Sequence, residues 1–242
     1  MTEPAQRITT APRTPRERAR AQTTADIVRL GREHLATHGA AALSLRAVAR
    51  DLGVVSSAVY RYVANRDELL TLLLIDAYSE LGDAVDAAVA RKPEHDFASR
   101  FRALGWAVRD WALREPAGYG LLFGSPVPGY KAPASRTTAP GARVIYSLIR
   151  IFDGAHRAGE VSAGAPAVVP PALSADLEGI RAELGLAAPD ALLARGALVW
   201  TSLFGAVSFE VFGQYGPDTF SAREELFEHH LTVLAGIVGL RG

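Results

Sequence analysis

Residues 44–62 read SLRAVARDLGVVSSAVYRY, and the spacing in this stretch decides the fold. Ser44 is placed to cap a short helix whose apolar positions Leu45, Val48, Ala49 and Leu52 share one face, and Gly53 ends it in a tight turn. A second helix follows at once. Over Val55 to Tyr62 the period turns Ala58, Val59 and Tyr62 inward and leaves Ser56, Ser57, Tyr60 and Arg61 outside. The small residues Ala47, Ala49 and Ala58 stand where two helices must approach closely. Two short helices hinged on a glycine form a helix-turn-helix, in which the second helix enters a major groove about 12 Å wide while the first lies over the phosphates. An αα-corner used only for packing would carry a similar pattern, so the segment in isolation leaves both readings open.

Working outward, Thr14-Pro15-Arg16-Glu17 supplies a capping hydroxyl, a proline at the first helical position and a reciprocal Glu, which together open a helix. Ile27, Leu30, Gly31, His34 and Leu35 fall on one face of it until His38-Gly39 stops it. After the motif, Asn65-Arg66-Asp67-Glu68 predicts another capping box, opening a longer helix through Leu69, Leu70, Leu73, Leu74, Ala77 and Leu81. Residues 1–13 read as a disordered basic arm, residues 14–65 as a DNA-binding unit and 66–242 as a larger helical one.

Charge follows the same division. The chain as a whole is neutral, with 26 basic and 26 acidic residues. Residues 1–66, however, hold eleven arginines against five acids, a net of +6, and leave −6 for the remainder. A cationic module joined to an anionic one suits polyanion binding by the cationic end, because each arginine at a phosphate releases counterions. The arginines at 13, 16, 18 and 20 can follow the DNA backbone or enter the minor groove. There is no cysteine, which removes disulfides, thiolate metal sites and cysteine nucleophiles and fits a reducing cytoplasm. The N-terminus lacks a signal-peptide pattern and no apolar run reaches membrane-spanning length, so the expectation is a cytoplasmic protein without a membrane partner.

Beyond residue 90 the pattern stays helical, with segments expected at 96–114, 116–123, 140–158, 173–185, 189–213 and 221–239, and Pro/Gly-rich loops at 124–141 and 159–171. Trp200, Leu203, Phe204, Val207 and Val211 form a broad apolar stripe, with Gly196 and Gly205 letting another helix come near. The last helix has the same character through Phe227, Leu231, Leu234, Ile237 and Val238. Trp200, Leu203, Val207, Val211, Phe227, Leu231 and Leu234 are therefore the candidate dimer interface, a four-helix junction, with an intramolecular core as the alternative. Trp106, Arg109, Tyr119, Phe123, Tyr146, Ile149 and Phe204 are the candidate ligand pocket, offering apolar walls with a few polar groups. Core packing is the competing role for each, and an exposed salt bridge is the simpler role for Arg109 and Asp110.

An all-helical enzyme is the rival class. His34 and His38 are spaced for two metal ligands but no third is evident, and there is no HExxH. His229-His230 with Glu225 and Glu228 reads as a polar helix face. No phosphate-binding loop, dinucleotide fingerprint or nucleophile elbow occurs, so no catalytic, metal or cofactor site is assigned and the chain is read as not an enzyme.

The stretch from Leu43 to Val54 (LSLRAVARDLGV), followed by Ala58-Val59-Tyr60-Arg61-Tyr62-Val63 and Asn65-Arg66-Asp67-Glu68-Leu69-Leu70, resembles the N-terminal domain of TetR-type transcriptional regulators over about residues 15–75. The resemblance implies an all-α homodimer with a three-helix, homeodomain-like DNA-binding domain and a larger C-terminal domain for a small-molecule effector and dimerisation. It also implies a double-stranded operator, most often released when ligand binds. Carried over by position, it makes Ser44 and Arg46 phosphate or base contacts, Ser56, Ser57, Ala58, Tyr60, Arg61 and Tyr62 the reading surface, and Arg66 a phosphate ligand. Asn65 is a cap, a contact or both. One departure is Val55, which stands where the family commonly has a capping Ser or Thr. Ser56 is then the alternative cap of a helix starting one residue later, and the register of the reading surface turns on which holds. The segment from Leu198 to Glu210 (LVWTSLFGAVSFE) resembles a large actinobacterial-type subset of these regulators with a Trp and a Gly near the start of the penultimate long helix. A DNA-binding activator or architectural protein without an effector is the nearest alternative function.

Overall fold

The structure is a computed structural model that describes residues 14–162 and 168–240. The basic arm at 1–13 and the middle of the 159–171 loop lie outside the described residues. Among those described, eleven α-helices and one 3₁₀ turn follow in order, with no strand beyond an isolated bridge between Val161 and Leu240.

Helix α1 (Pro15–His38) opens as its sequence dictates. The Thr14 amide donates to Glu17 Oε2 (2.9 Å) and the Glu17 amide to Thr14 Oγ1 (3.2 Å). It ends at Gly39, whose φ of +75° lies where only glycine sits without strain. After the 3₁₀ turn at Ala40–Ala42 come α2 (Leu45–Asp51), the turn at Gly53 (φ +75°) and α3 (Ser56–Val59). Val55 occupies the cap position of α3 with no side-chain bond, and Ser56 is the first helical residue. The later start with Ser56 as cap is thus corrected: Val55 already has the extended backbone a cap needs (φ −67°, ψ 142°), so the missing hydroxyl costs a bond without moving the register. Ser44 sits at the cap of α2 but its side chain makes no capping bond.

Helix α4 (Arg66–Ala90) starts on Asn65, whose Oδ1 accepts from the Glu68 amide at 2.8 Å. The expected capping box is only half made, because the Glu68 carboxylate is drawn to Arg136 instead (2.7 Å). Ile27, Leu30, Leu45, Val48, Val59, Val63, Leu69, Leu70 and Leu73 form the core of the N-terminal head. A second, larger core begins at Ala77, so the two cores meet inside α4 between Leu73 and Ala77, past the boundary sketched at residue 65 where the helix starts.

The body comprises α5 (Phe97–Arg114), α6 (Pro116–Phe123), α7 (Ala134–Gly141), α8 (Arg143–Arg157), α9 (Pro171–Leu184), α10 (Asp190–Val211) and α11 (Arg223–Val238). The 124–141 segment is not a loop throughout, since α7 fills its second half. Tertiary contact overrides the Pro-rich composition there: α7 lies on α4, Arg136 pairs with Glu68, and Gly141 rests against the Tyr78 ring. The helix expected over 140–158 consequently begins only at Arg143.

Gly105 lets α5 and α11 touch, for a Cβ there would lie 2.5 Å from Leu231 Cδ2. Leu203, Val207, Phe227, Leu231 and Leu234 are buried within this single chain. That corrects their assignment to the dimer interface: α10 and α11 pack these faces on α5, α8 and each other. Of the proposed interface set, Trp200 and Val211 are half-buried. The outward face of α10 and α11 carries Leu198, Gly205, Phe209, Val233 and Gly236, and neither glycine has an atom within 4 Å of its would-be Cβ. By length and composition α10 is long and apolar enough to cross a membrane, a run the sequence reading missed. Six of its residues are buried in the body, so its inward apolar character serves the core.

Candidate nucleic-acid interface and effector cavity

Val59 anchors α3 by being buried, and its neighbours are thereby turned outward. Ser57 and Arg61 are exposed, as is Tyr60 at 46 %, while Ser56, Ala58 and Tyr62 are half-buried. Arg46 is exposed on the first turn of α2 and Ser44 is half-buried beside it. The helix-turn-helix therefore turns hydroxyls and the guanidiniums of Arg46 and Arg61 to solvent, the groups that reach phosphate oxygens and base edges.

Other residues hold this surface in place. The Arg20 guanidinium lies 5.4 Å from the centroid of the Tyr62 ring, and its Nη2 donates to the Arg61 carbonyl (3.4 Å), pinning the N-terminal half of α1 to the turn that follows α3. Arg66 Nη2 donates to the carbonyls of Ala40 (2.8 Å) and Ala41 (3.3 Å). The resemblance made Arg66 a phosphate ligand, and the structure engages its guanidinium in clamping the turn before α2. His34 Nε2 and Asp51 Oδ2 lie 2.6 Å apart, tying α1 to the end of α2. The Asp51 carboxyl titrates below its ordinary range because His34, then Arg50, hydrogen-bond to it. Sequence reasoning placed His34 on the core face and weighed it as a metal ligand, but missed its bond to Asp51, which lies 17 residues away. Arg32 is a second omission. It reaches Asp76 (3.2 Å) and Glu80 (2.7 Å) on α4 and Glu115 (2.7 Å) before α6, joining head to body.

In the body, an apolar cavity of about 220 Å³ lies between α8, α9 and α10. Ile145, Ile149 and Phe152 form one wall, Leu177 another, and Gly196 and Trp200 a third, and no charged side chain lines it. Of the seven residues proposed for the pocket, only Ile149 lines this cavity. Phe204 stacks behind Trp200 (centroids 4.2 Å apart), Phe123 behind Phe204 (4.6 Å) and Tyr119 behind Phe123 (5.0 Å). Tyr146 is half-buried on α8 outside the cavity wall. The Tyr119 hydroxyl is already bonded to the Phe204 carbonyl (3.1 Å) and Ser208 (2.9 Å), and burial pushes its pKa up.

Arg109 makes a two-pronged pair with Glu210 (2.7 and 2.6 Å), both side chains almost fully buried. Its guanidinium lies 5.2 Å from the Trp106 ring centroid, and Trp106 Nε1 donates to Glu228 (2.8 Å). The expectation of an exposed salt bridge at Arg109 is corrected, since Glu210, 101 residues away, lets the charge be buried by pairing it. Trp106 and Arg109 bind α5 to α10 and α11, and leave the cavity to aliphatic and aromatic side chains.

Residues 27–73 match the family described as bacterial regulatory proteins, tetR family, and residues 101–234 match the tetracyclin repressor-like C-terminal domain. The HTH-type transcriptional regulator Rv1816 of Mycobacterium tuberculosis is 45% identical over 223 residues, which cover 92% of this chain and 95% of that protein. The chain belongs to the TetR family. The same identity and coverage hold for the regulator Mb1846 of Mycobacterium bovis. Among solved structures, SCO4313 superposes with a TM-score of 0.74 at 37% identity, over 92% of this chain and 100% of that one. A tetR-family regulatory protein from Rhodococcus RHA1 shares the fold at a TM-score of 0.60 and 14% identity, over 91% of this chain and 99% of its own. This TetR-family chain is thus a DNA-binding transcriptional regulator, and its family is not one of enzymes.

Proposed function

We propose that this regulator is a homodimeric repressor that leaves its operator when a compact apolar molecule enters the α8–α10 cavity. The observation that carries the reading is the pairing of two features in one chain. Ser57, Tyr60 and Arg61 stand free on a cationic head, and an uncharged cavity sits in the body. The DNA contacts are assigned to Ser44, Arg46, Ser56, Ser57, Ala58, Tyr60 and Arg61, with phosphate contact by the opening turns of α1. Arg66 and Tyr62 act by holding that surface in shape.

The second copy sits on the outward face of α10 and α11, where Gly205 and Gly236 allow close helix approach and Leu198, Phe209 and Val233 supply apolar area. On this reading Trp200, which lines the cavity, and Gly205, which faces the partner, carry the resemblance to the Trp/Gly subset. A two-fold axis there places two recognition helices on half-sites about one turn of DNA apart. Acting on DNA, the protein works in the cytoplasm.

The cavity is smaller than the roughly 300–1,000 Å³ of drug-sized sites, so the effector is compact and engages mainly by burial. It separates a sensor from an architectural protein, whose body would be filled. The test is to select duplexes from a random pool and then titrate the winning duplex with and without lipophilic compounds. Coupling on the order of 5–150-fold is expected between a compound and DNA. A compound that binds the protein while leaving DNA affinity unchanged in every case would refute ligand release.

A further inference from the structure

Across the described head, from Thr14 to Ala77, the large hydrophobic side chains that stand exposed are Val54, Val55 and Tyr60. Exposed hydrophobes scattered singly over a surface need no explanation. These three are not scattered, for they fall within seven consecutive residues of the helix-turn-helix. Tyr60 carries a hydroxyl and Val54 is 40 % exposed, whereas Val55 is 72 % exposed and is the apolar group most open to solvent in the head. It is also held in place. The amides of Gly53 and Val54 donate to the carbonyls of Arg50 (3.1 Å) and Ala49 (3.0 Å), and the Val55 carbonyl accepts from the Ala58 amide (2.9 Å). A β-branched side chain on so fixed a corner has few rotamers to lose when a partner covers it.

Valine at this position has a local cost. In the head α1 and α4 open on bonded side chains, Thr14 and Asn65, while Val55 at the start of α3 makes no capping bond. A hydroxyl there would stabilise the helix start. Local folding rules are broken chiefly at functional positions. The neighbouring reading groups also leave a gap in selectivity, since the hydroxyls of Ser56 and Ser57 donate and accept alike and so discriminate poorly between bases.

In a helix-turn-helix the leading residues of the second helix meet base edges in the major groove. Those edges carry hydrogen-bond donors and acceptors, which an isopropyl group desolvates without satisfying, and one protruding apolar group, the C5 methyl of thymine. We propose that Val55 packs on the C5 methyl of a thymine and is a specificity-determining residue of this regulator, favouring thymine over cytosine at one position under each head. The contact deepens the reading of α3 as the helix that enters the groove, and rests on it.

The experiment uses the full chain and a duplex selected from a random pool, in which each thymine is exchanged singly for deoxyuridine. The exchange removes the C5 methyl and leaves the pairing edge untouched. At one thymine under each head it should weaken binding by the parent about 3–10-fold, the loss of one buried methyl contact. Val55→Ala should bind the thymine and uridine duplexes alike at that position and respond as the parent does at every other. Val55→Ser, which restores a capping hydroxyl, should unfold at no lower denaturant concentration than the parent and lose the same discrimination, so that lost contact is told apart from lost fold. The contact is overturned if no uridine exchange weakens the parent, or if Val55→Ala and Val55→Ser prefer the thymine duplex as strongly as the parent does. A chain that binds no duplex overturns the reading of α3 together with the contact. Salt-sensitive binding that ignores every methyl overturns the Val55 contact alone.

Discussion

Helices α3 and α10 show how differently the two parts of this molecule treat water. Helix α3 has four residues and buries Val59 alone, leaving Ser57, Tyr60 and the following Arg61 outside. Helix α10 has 22 residues, buries six of them and still turns Leu198 and Phe209 outward at about half exposure. The head is stabilised by a small core and a set of directed polar ties, Arg20 to Arg61, His34 to Asp51 and Arg66 to the 40–42 turn. The body relies on bulk apolar burial and keeps an apolar face without a partner in the single chain. A polar free surface suits a polar, charged partner, and an apolar free face suits a copy of itself.

The contrast can be broken most forcefully at the outward face of the body. Phe209→Arg with Val233→Asp should yield monomers in sedimentation, and operator affinity should fall by on the order of 10²–10⁴-fold, the loss expected when two linked heads become independent. If the head alone carried affinity, the fall would be small. Within the body, Arg109→Ala strands the Glu210 carboxylate in the core and should cost about 3–5 kcal/mol in denaturant unfolding. The same measurement on Arg46→Ala, exposed in the head, should move by less than about 0.5 kcal/mol.

Asp153 sharpens the comparison through pH. Its Oδ1 accepts from the amides of Ala187 (2.7 Å) and Ala188 (2.8 Å), and its Oδ2 pairs with Arg157 (2.7 Å), fixing the approach to α10. Burial raises its pKa, but the bonds from Arg157 and the two amides outweigh that and hold the carboxyl below the usual range. A carboxyl depressed in the folded state contributes stability above its unfolded pKa of about 3.9 and loses it as pH falls through the folded value. Asp153→Ala should therefore cost about 1–3 kcal/mol near neutrality, with the deficit shrinking below pH 4. A modest effect is expected at the junction, where Asn65→Ala removes the cap of α4 and should cost about 1 kcal/mol.

Local chemistry was legible in the sequence and distant chemistry was not. Thr14 with Glu17, and Gly53 between two apolar faces, act within a few residues, so their pattern names their structure. The two sides of α10 defeated the same logic. Leu203 and Val207 inside are no more apolar than Leu198 and Phe209 outside, and periodicity cannot say which side meets its own chain. Pairs such as Arg109 with Glu210 and Arg32 with Glu115 depend on helices that only the fold brings together. Helix α7 escaped notice because contact with α4, not its own composition, makes it helical.

The proposed function requires the head to grip a duplex through the surface that α3 leaves free. Its most direct test is the affinity of a selected operator duplex measured across salt concentration for the parent and for Arg61→Ala. The parent should lose affinity steeply with salt, and Arg61→Ala should bind about 1–3 kcal/mol more weakly or show a salt slope shallower by about one. Identical affinity and slope for the two proteins on every duplex would contradict it.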